Sequence, residues 1–447
     1  MLYDSSISKF EENGRTITLM SLALPKFFEQ VFVGMLGTVS TLMLSGYSQE
    51  AVAATSIANQ ILNFVIIILN IIISGFSVVM SIELGRKDRV SAGKIAGTST
   101  ALILVGALAL GVFTAIFADP LVGFMNLEGE AKILACDFLR IKSIFLFLTM
   151  LMSCFNNLLI CNGYSGSSFI IGIFSNILGI ICHYIVLYSG LDLPVEGVTG
   201  IAIASIFAQI ISCLMAIGLF IKNKCPFAFT FDLKSAKKIL RIGTPSGLGM
   251  ISFTATQIFT TGFMASLGVM TLNTKVYVTN IISYVSKFGF SVATANGVIM
   301  GRYRGQNAFD KIKALYRQNM IITIASNLIL SVVVFAFYKP LVSLYTSDSQ
   351  VIALAAGVMA VDIIVEVARA INNISEKSLN ANGDVKTTFI VPLFTCWIFG
   401  VFLAYILGIK CGMGLIGCWI GFAADEIAKA TIYIIRWENG KWKNTKI

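Results

Sequence analysis

The chain has 447 residues, 56% of them hydrophobic and 13% charged, with a formal net charge of +10 from 33 Lys and Arg against 23 Asp and Glu. Soluble domains carry about a quarter charged residues, so a water-soluble, disordered or nucleic-acid-binding chain is excluded as a whole. Nine cysteines, among them Cys154, Cys161, Cys182, Cys213 and Cys396, lie mostly inside apolar runs, without metal-ligand or disulfide-framework spacing, and read as single buried thiols.

A hydrocarbon core about 30 Å thick takes about 20 apolar residues of helix. In chain order the sequence predicts such helices over 17–44, 52–82, 95–118, 132–160, 167–188, 197–221, 240–266, 273–300, 314–337, 351–379, 387–409 and 412–436. These are twelve predicted spans. Several exceed the minimum length, which predicts tilt, kinks or protruding ends. Residues 1–16 are polar, with Lys9, Glu11, Glu12 and Arg15, and the run after them is too long for the apolar part of a cleavable signal.

The basic residues set the expected orientation. Arg86, Lys87, Arg89 and Lys94 follow the second span; Lys222, Lys224, Lys234, Lys237, Lys238 and Arg241 lie between the sixth and seventh. Arg302, Arg304, Lys311, Lys313 and Arg317 follow the eighth, and Arg436, Lys441, Lys443 and Lys446 end the chain. Alternating spans put all of these on one side. The opposite connections carry Glu50, Asp119, Glu128, Glu130, Asp192 and Glu196. The positive-inside rule makes the basic side, with both termini, cytoplasmic. The net charge is then a topology signal, with a lipid bilayer as the partner and no nucleic acid.

Sliding the sequence over itself by 220 residues places Pro25 on Pro245, Gly85 on Gly305, and Phe117, Pro120, Leu121 and Val122 on Phe337, Pro340, Leu341 and Val342. Asn162-Gly163 falls on Asn382-Gly383, and at an offset of 217 Gly197 and Gly200 fall on Gly414 and Gly417. The expected organisation is an all-α polytopic membrane protein with a first lobe over 1–221, a cytoplasmic linker over 222–238 and a second lobe over 239–447, the lobes related by a pseudo-twofold axis. Parallel repeats of this kind are a transporter architecture.

The first span and its sequel read LALPKFFEQVFVGMLGTVSTLMLSGYSQEAVAATSIANQI, and the second span ends SGFSVVMSIELGRKD. The second half repeats the plan as RIGTPSGLGMISF, ASLGV and ATANGVIMGRYRGQN. This resembles the MATE (multidrug and toxic compound extrusion) family over nearly the whole chain. EVARAIN, NGDVKT and DEIAKATIYIIRW are similar to a bacterial branch. The resemblance implies a monomeric two-lobed antiporter of the bacterial plasma membrane. It would expel small organic, cationic and amphipathic compounds in exchange for H+ or Na+ by rocker-switch alternating access, with no other cofactor. The chain departs from the family pattern at Ser40, at Gly179 and His183 in the fifth span, and at Gly249, positions where relatives often carry acidic or Asn side chains. That puts the first lobe's ion site in doubt.

Ionisable side chains inside a membrane are costly and mark pathways. Glu29, one turn after Pro25, is a candidate carboxylate for ion coupling, with a bond to Lys26 as the structural alternative. Asp362, Glu366 and Arg369 share one helical face; the two carboxylates are coupling candidates, with a permanent Glu366–Arg369 pair as the alternative. Lys287, deep in the eighth span, is expected to face a cavity or to pair with Glu366 or Asp362. His183, the single histidine, is either a coupling group or a satisfied core residue. Asn59, Asn63, Asn176, Gln257, Tyr277, Asn280, Tyr284, Lys287 and Arg369 are the candidates for lining a substrate cavity. Asp425 and Glu426 are expected to form a structural ion pair with Lys429.

There is no GxxxxGK[ST] loop, GxSxG elbow or HExxH motif, so the reading is a transporter without catalytic or metal-ligating residues. Its rivals are a lipid-linked saccharide flippase of the same superfamily, an integral-membrane enzyme and a non-transporting scaffold.

Overall fold

A computed structural model describes residues 7–12, 14–125, 129–189 and 197–445. Of the charged connection residues named above, Glu128, Asp192, Glu196 and Lys446 lie outside the described residues.

The first half folds as α1 (Leu19–Tyr47), α2 (Gln49–Gly85), α3 (Arg89–Ile116), α4 (Ala118–Phe124), α5 (Gly129–Ile144), α6 (Leu146–Cys161), α7 (Ser165–Tyr188) and α8 (Gly197–Lys222). The second half follows as α9 (Leu233–Ser266), α10 (Val269–Gly305), α11 (Phe309–Ala336), α12 (Tyr338–Ser343), α13 (Ser349–Ala381), α14 (Val385–Thr395) and α15 (Gly414–Glu438). After Pro392 the helix of α14 runs on in π-helical form over Cys396–Leu403, where the proline removes a backbone donor. The helix starts α2, α3 and α13 are capped by Ser48, Asp88 and Asp348, whose side chains accept from the backbone amides of Ala51, Ser91 and Gln350. The ends of α2 and α10 are both 220 residues apart, as are those of α3 and α11 and the starts of α5 and α13. The internal repeat is therefore a repeat of elements and not only of Pro and Gly.

Eight helices are each long and apolar enough to cross a membrane among the described residues, and the pair α5 and α6, bent by 50° at Phe145, makes a ninth. Of the other long helices, α10 and α15 carry charges that lower their hydropathy, Lys275, Lys287, Arg302 and Arg304 in one and Asp425, Glu426, Lys429 and Arg436 in the other, whereas α9 has its charges, Lys234, Lys237, Lys238 and Arg241, in its first turns and many Thr, Ser and Gly residues after them. Large apolar side chains such as Val105, Leu214, Ile329 and Phe402 stand more than 60% exposed, as a lipid-facing surface requires.

Two compact units form, Pro25–Gly243 and Met1–Leu24 with Thr244–Ile447. The expected lobe limits at 221 and 239 differ from these at both ends, for two physical reasons. The connection after α8 is strapped along α3: Arg89 donates to the Lys224 carbonyl at 2.7 Å, the Ala228 amide to Gly93 O at 3.0 Å and the Asp232 amide to Thr98 Oγ1 at 3.0 Å. The start of α9 then crosses α2 so closely that a Cβ on Gly243 would stand 1.9 Å from Ile71 O, and one on Gly75 2.1 Å from Ile239 O. At the N-terminus, a β-hairpin absent from the expected all-helical plan pairs β1 (Lys9–Glu12) with β2 (Arg15–Thr18). It is pinned to the second half. Glu12 pairs with the buried Arg302, the Tyr303 hydroxyl donates to Ile7 O and Lys9 O, and Gln318 Nε2 donates to Ser8 Oγ at 2.7 Å.

In the unit Pro25–Gly243, the small residues Ala51, Ala54 and Ala58 of α2 bring Phe138 and Leu139 of α5 and Val198, Ile201 and Ala202 of α8 into one core. In the other unit, Val278, Ile281 and Ile282 of α10, Val358, Met359 and Val365 of α13, and Leu415, Cys418 and Trp419 of α15 form its counterpart.

Candidate functional site

The ionisable side chains expected inside the membrane fall into separate groups. In the unit completed by Thr244–Ile447, α13 and α15 bring together Asp362, Glu366, Arg369, Asp425, Glu426 and Lys429. Glu366 is fully buried. It is bound by Arg369, accepts from Ser286 Oγ of α10 at 2.6 Å and lies 3.4 Å from Asn327 Nδ2 of α11. Arg369 also reaches Glu426 at 3.7 Å and donates to Ser286 Oγ at 3.0 Å. Glu426 accepts from Lys429 at 3.2 Å and Asn372 Nδ2 at 2.6 Å, and Asp425 from Lys429 at 2.9 Å. The expected Asp425–Glu426–Lys429 pairing is therefore present, and Glu366 and Arg369 pair directly.

Asp362 is different. Its Oδ1 accepts from Trp419 Nε1 of α15 at 3.0 Å, and no cation pairs with it among the described residues. Beside it is a cavity of about 10 Å³ lined by Ile282, Val285, Ser331, Val334, Phe335, Met359 and Asp362, roughly the space of one water. The Ser331 hydroxyl there is buried without a partner. Counting formal charges, Asp362, Glu366, Asp425 and Glu426 stand against Arg369 and Lys429 alone, four negative against two positive. Burying such an excess is costly unless it is neutralised, so the cluster calls for bound protons or another cation.

Lys287 does not join this cluster. Arg369 occupies Glu366, and the Lys287 ammonium lies over the Tyr284 ring at 4.5 Å. The expected pairing of Lys287 with Glu366 or Asp362 is thus corrected: Ser286, its neighbour, turns toward α13 instead, and a one-residue step rotates the side chain about 100° around the helix. Tyr277, Asn280, Tyr284 and Lys287 recur at steps of three and four, and so form one stripe along α10. Asn280 and Tyr284 are exposed, and Tyr277 stacks on Tyr345 at 5.1 Å. Gln257 is half-buried on α9.

In the unit Pro25–Gly243, Glu29 is buried against α7: it accepts from Lys26 at 2.9 Å and Ser168 Oγ at 3.2 Å, and its Cγ fills the space that a Cβ on Gly172 would take. His183 lies 2.9 Å from Ser205 Oγ of α8, whose own proton goes to Ile201 O, so the ring Nε2 is the donor. Lys142 of α5 is the charge that acts on this ring, and it has no ion-pair partner among the described residues. Asn176 Nδ2 donates to Gly172 O at 2.8 Å; Asn59 and Asn63 are exposed one turn apart on α2.

The sequence profile of the MatE family matches this chain twice, over residues 25–185 and 245–406. The chain belongs to the MatE family. The "Uncharacterized transporter YisQ" of Bacillus subtilis (strain 168) is 31% identical over 96% of this chain and 95% of its own length. A "Probable multidrug resistance protein NorM" of Thermotoga maritima is 24% identical over 96% and 93%. Among solved structures, "Crystal structure of MATE in the straight conformation" superposes with a TM-score of 0.86 at 20% identity over 96% of both chains. A MOP superfamily transporter from Pyrococcus furiosus, described as having a binding pocket of reverse polarity, gives 0.86 at 21% over 96% of both. The fold is the all-α MATE membrane fold.

Sequence reasoning passed over several groups that matter in this MatE transporter. Trp419, Ser286, Asn327 and Asn372, which hold the carboxylates, carry no charge and left no signal. Lys142 did leave one. It interrupts the fourth apolar run as Lys287 interrupts the eighth, and it stands 220 residues before Asp362. The two repeats thus place opposite charges at equivalent positions of α5 and α13.

Proposed function

We propose that this MatE transporter is a secondary antiporter of a bacterial plasma membrane, with both termini cytoplasmic. It exports amphipathic organic compounds in exchange for inward-moving protons. The observation that carries the reading is Asp362, a buried carboxylate with no cationic partner among the described residues at mid-length of α13, inside a cluster with two more negative than positive charges. Proton uptake by Asp362 halves that excess, from two charges to one. The Trp419 bond and the small cavity beside Ser331 leave its second oxygen free to receive the proton. Glu366, held by Arg369 and Ser286, then acts as a fixed anchor for α10 and α13 rather than as the carrier.

Antiport follows if protonation and cargo favour different conformations of the same protein, since each ligand shifts the equilibrium only by its differential affinity. Alternating access, with the two six-helix units as the moving bodies, is the motion this calls for. The polar stripe on α10 is the proposed cargo surface. The test is reconstitution into proteoliposomes loaded with a fluorescent dye, with a proton gradient and a sodium gradient imposed separately. The proton gradient is expected to drive dye movement. Movement under neither gradient refutes the antiport reading, and movement under sodium alone moves the coupling ion away from the proton.

A further inference from the structure

The inference concerns the chemical class of the cargo and rests on the transport reading above. The buried carboxylates named above lie against partners on their own or neighbouring helices: Glu29 against Lys26 and Ser168, Glu366 against Arg369 and Ser286, Asp425 and Glu426 against Lys429, and Asp362, without a cation among the described residues, against Trp419. The cations are not balanced in the same way. Lys287 has no carboxylate within ion-pair distance among the described residues and lies over the Tyr284 ring.

Lys287 is the middle residue of the 37-residue α10, which at 1.5 Å per residue is longer than a hydrocarbon core about 30 Å thick. Midway along such a span a residue lies about 15 Å from either face of the core, beyond the reach of a lysine side chain. The stripe it shares with Tyr277, Asn280 and Tyr284 is polar and partly exposed, which is costly against lipid and sensible only against water or a ligand. An organic cation arriving there would meet an ammonium, and none of the four residues of the stripe is acidic.

We infer that this stripe takes an amphipathic organic anion, its carboxylate or sulfonate on the Lys287 ammonium and its apolar body against the Tyr284 ring, with Asn280 as an additional hydrogen-bond donor. The anion replaces the aromatic face as the partner of Lys287, and Tyr284 provides the flat surface that binding of mixed apolar cargo needs.

The probes are two xanthene dyes of similar shape, anionic fluorescein and cationic rhodamine 123. Binding to the full-length protein in nanodiscs is read by fluorescence anisotropy, with no ion gradient. Fluorescein is expected to bind more tightly than rhodamine 123. Lys287→Gln should weaken fluorescein on the order of tenfold or more, the scale of a lost charge-assisted hydrogen bond, and should not weaken rhodamine 123. Lys287→Arg should retain fluorescein binding. Asn280→Asp, which adds a carboxylate to the same face, should weaken fluorescein and strengthen rhodamine 123; it serves as the second variant if Lys287→Gln fails to fold. Fluorescein binding indifferent to both variants, or rhodamine 123 preferred by the unaltered protein, overturns the inference. Gradient-driven movement of rhodamine 123 with no fluorescein binding leaves antiport standing and removes only the anion. Lys287-dependent fluorescein binding with no gradient-driven transport of either dye does the reverse.

Discussion

Asp362→Asn isolates the proposed proton carrier with little change of shape. The asparagine keeps an oxygen for the Trp419 Nε1 bond, now 3.0 Å from a carboxylate oxygen, and loses only the ionisable group. A hydrogen bond to a charged acceptor is worth about 1.5–3 kcal/mol and a neutral one about 0.5–1.5, so the bond itself weakens by roughly 1 kcal/mol. Removing one of two excess negative charges from the cluster offsets part of that, and the variant should fold. Coupling is where the loss should appear. One proton exchanged per cargo molecule makes each pH unit worth about 1.4 kcal/mol, a tenfold cargo gradient at equilibrium. Proteoliposomes with a one-unit pH step should therefore sustain about a tenfold dye gradient with the unaltered protein and none with Asp362→Asn. Dye exchange without a gradient, which needs no proton, should persist. A variant that still builds the gradient would refute the assignment of the proton to Asp362, and loss of exchange as well would show that Asp362 serves the fold.

Lys429→Met should cost about 3–5 kcal/mol, because it strips the cation from both Asp425 and Glu426; thermal unfolding in detergent reads the loss, and an unchanged melting temperature contradicts the pairing. Gly243→Ala puts a methyl 1.9 Å from Ile71 O at the crossing of α9 and α2, and should destabilise by about 1–3 kcal/mol, whereas Gly218→Ala, where a Cβ meets nothing within 4 Å, should melt like the parent. Lys142→Met removes an intramembrane cation without an ion-pair partner among the described residues that costs about 2.5–3.5 kcal/mol on insertion scales. It should raise the melting temperature, and a lower one would mean that the ammonium has a partner in the folded protein.

The sequence carried the fold to the reader because a bilayer imposes a simple rule, long apolar helices, and because the duplication left Pro and Gly in register where helices cross or turn. Gly85 and Gly305 end α2 and α10 at the same step. It carried less about where one unit stops. The hairpin at Lys9–Thr18 has only four residues in each strand, too short for an alternation to stand out, and its place is set by Arg302 and Tyr303, nearly three hundred residues away. The face shared by Asp362, Glu366 and Arg369 was legible from spacing alone. The choice that Glu366 makes among cations was not, since Lys287 and Arg369 are equally charged in sequence and only the rotation of α10 decides which of them meets it.

The two repeats keep many helix limits in register, and one of the positions at which they differ points to where coupling belongs. In α13 the position holds Asp362, facing Trp419 and a small cavity. In α5 it holds Lys142, and the residue aligned with Trp419 at the 217-residue offset is Ala202, a buried core alanine with no donor to give. The rest of that unit offers little that can exchange a proton with a negative site: Glu29 is locked by Lys26 and Ser168, and the His183 proton is already given to Ser205. A duplicated bundle with an acid in each half would have two proton sites to coordinate. One acid and one base at equivalent places put the carboxylate without a cationic partner, among the described residues, in the second repeat alone, and that asymmetry is the reason for assigning the proton to Asp362 and not to any group of Pro25–Gly243.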